Sequence, residues 1–464
     1  MMSQFHRIKA LHFVGIGGSG MSGIAEVLLT LGYRITGSDL RDSEVTRQLS
    51  EHGAEIYIGH SKENIGNADV VVVSSAVKDD NVEVQAAREV GITIIRRAEM
   101  LAELMRMQFG IAIAGTHGKS TTTSLVGEIL TAGNLDPTII VGGRVTNLGT
   151  GAKVGSSKYL VAEADEYDRS FLKLMPTVAV VTTLEAEHME CYTDMDDLYG
   201  AFLTFMNRVP FYGAVILCLD EVSLRDLIPK IERRVITYGL STQSDLRATR
   251  IRFEKDSSHF EVVSRGRSYG EIEVKLLGLH NVKNCLSAIA VGLELGIDFE
   301  NIKAGLKNFS GVHRRFEIIG EVNDILIVDD FGHHPTEIRV TLQGAKLGYN
   351  RRLIAVFQPH LYSRTRDFAS DFGQAFMYSD ALVVTGIYGS REEPIPGVTA
   401  ELIARAARDY GHREVYYIED KQQLPQKLMD ITKPGDMVIS FGAGDIYRTL
   451  NKFYEQLKAK QREE

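Results

Sequence analysis

Lys119 and Ser120 stand near the end of the run Ile111-Ala-Ile-Ala-Gly-Thr-His-Gly-Lys-Ser-Thr-Thr-Thr123. A lysine and a hydroxyl residue directly after a glycine form the pairing that holds nucleotide phosphates. The ammonium meets the β/γ-phosphates and the hydroxyl serves Mg²⁺. Gly115 and Gly118 let the backbone wrap close to phosphate oxygens. The first amides of a helix opening here have no intrahelical acceptor and point at an anion. Strict phosphate-loop spacing would put a glycine at 113, where Ile113 stands, so Gly-Thr-His-Gly-Lys-Ser is a shorter variant. On this reading Lys119 meets phosphate in solution and has no core partner.

Further groups could work beside it. Glu163-Ala-Asp-Glu-Tyr-Asp168 and Leu184-Glu-Ala-Glu-His188 each follow an apolar run. Mg²⁺ takes hard oxygen ligands, which suits Glu163; His188 is less usual for Mg²⁺ and reads equally as a hydrogen-bonded loop residue. Gly15-Ile-Gly-Gly-Ser-Gly20 matches G-x-G-x-x-G, with Asp39 an acid 24 positions after Gly15. Two readings stay open: a dinucleotide unit with Asp39 on a ribose, or another diphosphate-bearing nucleotide on the same glycines. Ser74 and Ser75 end an apolar run where ligands sit in open α/β sheets. His60 and Arg97 fall in loops near strand ends and also read as surface residues. Gly278-Leu-His-Asn-Val-Lys-Asn284 opens a helix, where the asparagines either cap or meet an adenine edge. Asp329-Asp-Phe-Gly-His-His-Pro335 and Gln358-Pro-His-Leu-Tyr-Ser-Arg-Thr-Arg366 put His and Arg at strand ends, suiting an anion. No nucleophile elbow or Cys–His setting appears.

These residues need parallel sheets to hold them. Residues 1–99 alternate strands and helices in Rossmann fashion: strand Ile8–Val14, helix Met21–Leu31 closed by Gly32, strand Tyr33–Thr36, the run Asp69–Ala76 and strand Ile92–Ile95. Residues 100–311 read as a parallel sheet around the phosphate loop, with a helix Thr121–Ala132 capped by Gly133. Period-two alternation over Arg250–Leu277 adds a small antiparallel part. Residues 312–464 restart strand–helix alternation as a second Rossmann-like sheet, with Gln456–Glu464 a solvated helix end or disorder. The fold class is α/β with three domains.

Composition agrees. The chain has 464 residues, 44% apolar and 24% charged, enough for about three domains. A net charge of −9 and pI near 5.9 leave no basic footprint for nucleic acid or a membrane surface. Met1–Lys9 carries no secretory h-region, and no apolar run reaches the length of a membrane span. Cys191, Cys218 and Cys285 form no CxxC pair and read as small core residues of a protein in reducing cytoplasm.

A phosphate-loop segment between two Rossmann-like segments, in this order, resembles the Mur ligases of peptidoglycan synthesis over nearly the whole chain. The stretches that carry the likeness are 12–25, Gly115 to Thr121, Glu163–Glu166, Glu185–Met189, Gly278–Asn284, Arg315–Glu317, Asp329–Glu337 and Gln358–His360. The resemblance implies ATP and Mg²⁺ as cofactors, with UDP-N-acetylmuramate and L-alanine as substrates. The muramic-acid carboxylate becomes an acyl phosphate, which the alanine amine attacks. It implies ATP contacts from Gly115, Thr116, His117, Gly118, Lys119, Ser120, Thr121, Asn284, Arg315 and Asp330, and metal contacts from Ser120, Glu163 and His188. It implies a UDP-sugar site at Gly17, Gly18, Ser19, Gly20, Met21, Ser22, Asp39, His60, Ser74, Ser75 and Arg97. His360, Arg364 and Arg366 fall on the amino-acid side, and Lys119, His188, His333 and Arg364 form the catalytic set. It implies a cytoplasmic monomer or weak homodimer, bound to neither nucleic acid nor membrane. Two departures stand out. Phe205-Met-Asn-Arg-Val209 has no lysine where other members carry a carbamylated one, as expected of the alanine-adding branch. Leu361 replaces an arginine frequent in relatives. The alternatives are a tripeptide ligase of cell-wall recycling, a nicotinamide-dependent oxidoreductase, which leaves the phosphate loop unexplained, and a nucleotide-switched binding protein, which leaves the third segment's His and Arg unexplained.

Overall fold

A computed structural model describes residues 7–142, 152–390 and 392–463; the expectation for Met1–His6 lies outside them. The fold is α/β with three sheets, as expected. The chain forms two compact units. One comprises Met1–Ile251, Phe260–Val274 and Lys283–Ser310, and the other Arg252–His259, Lys275–Val282 and Gly311–Glu464.

The first sheet is all parallel, in the spatial order Glu55–Ile58, Arg34–Asp39, Ala10–Val14, Val70–Val73, Thr93–Arg96. Its inner strands are apolar runs because helices cover both faces; all four valines of Val70–Val73 are buried. Strand order reverses between Ala10–Val14 and Val70–Val73, the switch point that opens a crevice at strand C-termini. Gly15 and Ser74 meet there. A Cβ on Gly15 would stand 3.1 Å from that of Ser74, and Gly15 has φ +79°, which favours glycine. The following helix spans Ser19–Thr30, two residues ahead of the expected start.

The second sheet has ten strands and is centred on the phosphate-loop strand Phe109–Ala114. That strand lies between Val178–Val181 and Tyr159–Glu163, parallel to both. Register pairs Ile113 with Glu163 and Ala114 with Val181, so the acid-bearing ends finish beside the loop. The expected hairpins are present as Leu246–Glu254, Ser257–Ser264 and Arg267–Val274. Arg265 (φ 49°) and Gly266 (φ 79°) form the two-residue turn whose twist suits adjacent strands. The helix after the loop is Lys119–Ala132. Gly133 is not its left-handed cap: its φ is −78°, and Asn134 (φ 58°) takes that conformation instead.

In the second unit the sheet order is Glu317–Val322, Ile325–Asp330, Asp436–Phe441, Arg352–Phe357, Ala381–Thr385, Val415–Ile418. The first pair is antiparallel and the rest are parallel. Successive residues serve opposite faces: Leu326 and Val328 pack with Ile338 and Phe372, while Ile327 packs with Leu450 and Phe453. The last helix runs Ile446–Glu463 and buries Leu457, so the tail is more than a solvated end. Cys218 and Cys285 are core residues; Cys191 is only half-buried. Among the described residues, no helix is long and apolar enough to cross a membrane.

Candidate active site

The phosphate loop is held from the neighbouring strand end. Thr182 Oγ donates to the carbonyl of His117 (2.5 Å), and the His117 amide donates to Thr183 Oγ (2.9 Å). Thr116 Oγ lies 2.9 Å from Thr183 Oγ and accepts from the Glu185 amide. Gly115 has φ +128°, and a Cβ there would stand 3.0 Å from the amides of Thr182 and Thr183. Gly118, at φ +82°, begins the helix; a Cβ on it would lie 2.6 Å from Asn284 Oδ1. Asn284 therefore sits against the loop. Ser120 and Thr121 occupy the first helical turn, where amides face an anion.

Lys119 departs from expectation. Its ammonium donates to both oxygens of Glu166 at 2.9 Å and to the carbonyls of Gly115 (2.7 Å) and Thr116 (3.3 Å). Burial opposes the charge, but Glu166, Asp165 and Glu187 outweigh it and hold the lysine above its ordinary pKa. Glu166 is pushed up to about 7 by burial, despite Lys119, with Asp165 and Glu187 adding to the rise. Three acids thus share one ammonium.

The expected metal residues fall into two sets. Glu163 is raised by burial, against which a Ser120 hydrogen bond and the Lys119 charge work; its Oε1 is buried without a hydrogen-bond partner. His188 clusters instead with Glu166 and Glu187, their ligand atoms all within 4.8 Å of one another. Burial lowers the His188 pKa, more than Glu187 raises it, which favours the neutral ring that can ligate. An oxygen-rich cluster short of positive charge fits Mg²⁺. His117 faces one of these acids, 3.7 Å from Glu187, and lies 3.6 Å from Glu185.

On the first sheet, Asp39 is tied to the glycine turn: its Oδ2 accepts from the Gly17 amide at 2.9 Å. Met21 turns its side chain into the core, so only its backbone belongs to the glycine turn. Gly18 opens the helix, Ser22 is buried, and the Ser19 side chain lies outside the described residues. Arg97 crosses the helix start, close enough that a Cβ on Gly20 would lie 2.8 Å from its Nη1, and reaches Asp165 at 3.7 Å. Ser74 is half-buried and Ser75 exposed. His60 is tied to Ser38 and Glu83 at 3.0 and 3.1 Å.

In the second unit, Asp330 accepts from the amides of Phe316 (2.8 Å) and Gly332 (2.7 Å), and burial pushes it up to about 6 against the pull of Arg315. Arg315 donates to Glu337 at 3.1 Å and lies over the Phe331 ring. His333 stands edge-on to His360, centroids 5.7 Å apart, and His360 stacks on Tyr388. Arg364 is half-buried. Arg366 is exposed and donates to Asp367 at 2.7 Å. Leu361 sits at φ 71°, strained for a β-carbon residue, between His360 and the helix Tyr362–Asp367.

Comparison with known proteins accounts for all three sheets. "Mur ligase family, catalytic domain" matches residues 10–109, "Mur ligase middle domain" 113–292 and "Mur ligase, glutamate ligase domain" 314–444. The chain belongs to the Mur ligase family. A UDP-N-acetylmuramate–L-alanine ligase of Geotalea uraniireducens is 54% identical over 454 residues, 98% of this chain and 99% of that one. Among solved structures, a UDP-N-acetylmuramate-alanine ligase of Thermotoga maritima superposes with a TM-score of 0.82 at 28% identity, covering 98% of this chain and 100% of that one. A murein peptide ligase of Psychrobacter arcticus gives 0.70 at 27% identity, covering 97% and 98%.

Glu166, Glu187 and Glu83 take buried positions beside these sites that their sequence context does not single out. The first two stand in the acidic runs that follow strands beside the phosphate loop, where only Glu163 and His188 were singled out for the metal. A signal was available: a phosphate-loop lysine packed against a sheet needs a buried counter-charge.

Proposed function

We propose that this chain is an ATP-dependent ligase joining L-alanine to the carboxylate of UDP-N-acetylmuramate, with release of ADP and phosphate, in peptidoglycan precursor synthesis. The observation that carries the reading is 54% identity, over nearly the full length of both chains, with a relative of that name. The tripeptide ligase is not favoured: its structural likeness is the weaker of the two, 0.70 against 0.82.

In this reading the three segments 1–99, 100–311 and 312–464 hold the UDP-sugar, ATP and the amino-acid side. The glycine turn Gly17–Ser22, with Arg97 across the helix start and Ser74 and Ser75 at the switch point, takes the diphosphate. Lys119 and the loop amides bind the ATP phosphates, and Asn284, Arg315 and Asp330 bind the rest of the nucleotide. Ser120, Glu163, Glu166, Glu187 and neutral His188 would hold Mg²⁺, which supplies further neutralisation of phosphate charge. A muramate carboxylate oxygen attacks the γ-phosphorus and ADP leaves. The alanine amine then attacks the acyl carbon, loses a proton, and phosphate leaves. Positioning and charge neutralisation are what phosphoryl transfer requires. His333, His360 and Arg364 serve the second step, where a guanidinium stabilises a carboxylate or the tetrahedral oxyanion. The chain works as a cytoplasmic monomer or weak homodimer.

Coupled ADP release, measured with each substrate omitted in turn, tests the reading. Turnover should require both UDP-N-acetylmuramate and L-alanine. Turnover with the tripeptide but not with L-alanine would replace it.

A further inference from the structure

Glu83 is a fully buried carboxylate on the first turn of the helix Val82–Glu89, and the reaction above makes no use of it. Its Oε2 accepts from Ser38 Oγ–H at 2.5 Å and faces His60 Nδ1 at 3.1 Å. Its Oε1 accepts from Asn64 Nδ2 (2.6 Å) and the Ser61 amide (3.3 Å). His12, from the first strand, stands 3.7 Å away and is itself anchored on Thr36. The facing groups are thus His12, Ser38, and His60 with Ser61 and Asn64. Among the described residues, no lysine or arginine pairs with it.

This arrangement determines a tautomer. Ser38 has one hydroxyl hydrogen, and Glu83 receives it. His60 Nδ1 then faces two acceptors, Ser38 Oγ at 3.0 Å and Glu83 Oε2. In the neutral ring Nδ1 therefore carries the proton, leaving Nε2 as the acceptor atom. The carbonyl of the same Ser38 accepts from the amides of Gly15 and Ile16. One carboxylate therefore braces both the glycine turn and His60, which follows the strand Glu55–Ile58 at the ligand-bearing edge of the sheet.

We propose that Glu83 is a positioning residue of the nucleotide-sugar crevice: it holds His60 as the Nδ1–H tautomer, so that Nε2 accepts from a hydroxyl or imide N–H on the nucleoside half of the substrate. The proposal rests on the UDP-sugar reading of this crevice. Glu83→Gln keeps the shape but carries one acceptor oxygen where Ser38 and His60 on one side, and Asn64 and the Ser61 amide on the other, use two. Its KM for UDP-N-acetylmuramate should rise about tenfold while kcat and the KM for ATP hold. His60→Ala should do the same, and the double variant should be no worse than either. Histidine ¹⁵N spectra should show protonated Nδ1 and bare Nε2 for His60 in the wild-type protein, and loss of that preference in Glu83→Gln. A wild-type spectrum with Nε2 protonated and Nδ1 bare overturns the proposal even if Glu83→Gln does not fold. So does a His60→Ala enzyme with unchanged KM for the sugar nucleotide. Calorimetry on the wild-type protein separates the two readings: if UDP-N-acetylmuramate does not bind, the crevice assignment falls, whereas the tautomer is read without substrate.

Discussion

The ammonium of Lys119 lies 2.9 Å from both carboxylate oxygens of Glu166, so the lysine of the phosphate loop already has a counter-ion within the protein. Glu166, pushed up to about 7, is partly protonated at neutral pH. A cation arriving beside it favours the ionised form. Binding of Mg²⁺ with an ATP analogue at pH 7 should therefore release a proton. Calorimetric enthalpies measured in two buffers of different ionisation enthalpy should differ, and Glu166→Gln should erase the difference. Buffer-independent enthalpies for the wild-type protein would rule this out. The linkage sign follows. The folded pKa lies above the ordinary 4.5, so the native state holds more protons than the unfolded one. The contribution of Glu166 to stability falls as pH climbs from about 4.5 to about 7.

Lys119→Ala should abolish turnover. Gly118→Ala should raise the KM for ATP at least about tenfold, because alanine at φ +82° is strained by about 1–2 kcal/mol and its Cβ meets Asn284. Steady-state kinetics on folded variants checks both. A Gly118→Ala enzyme with wild-type ATP kinetics would show that the tight turn does not shape the site.

Glu163→Ala and His188→Ala should each shift the Mg²⁺ concentration needed for half-maximal rate upward. The buried, unpartnered Oε1 of Glu163 and the clustering of His188 with two acids motivate this. Rates titrated with Mg²⁺ at saturating ATP decide it. Curves that overlay the wild-type curve for both variants would remove the two residues from the metal site.

Arg314 and Arg315 are neighbours with opposite expectations. Arg314 is buried, donates to Asp329 at 2.7 Å, and clamps the carbonyls of Gly442 and Gly444. Arg314→Ala should cost roughly 3–5 kcal/mol by stranding a buried carboxylate. Arg315→Ala should cost under about 1 kcal/mol in stability yet lower turnover. Denaturant unfolding beside the ADP-release assay separates them. Equal stability losses would refute the division.

Arg364→Ala should lower amide formation by about a hundredfold or more, with little change in affinity for an ATP analogue. Arg366→Ala should stay within about twofold of wild type in both, because its guanidinium is exposed and occupied by Asp367. The reverse ranking would place Arg366 on the substrate.

Short-range patterns carried the elements. Four consecutive valines specify a buried parallel strand, and Gly-Thr-His-Gly-Lys-Ser after an apolar run specifies a strand–loop–helix, because backbone preference and burial act within a few residues. What such patterns leave open is where a charge finds its partner. Lys119 and Glu166 are 47 residues apart, and Ser38 and Glu83 are 45. Nothing local distinguishes Arg314 from Arg315, or tells that Asp39 spends an oxygen on the Gly17 amide. Those outcomes depend on sheet order, which brings distant strand ends to one edge, and on exclusion of water there, which makes an unpaired charge too costly to leave alone. Sequence alone pointed to a phosphate site, and to roughly where it lies. Only the tertiary structure decided which side chains are braces and which remain to meet a substrate.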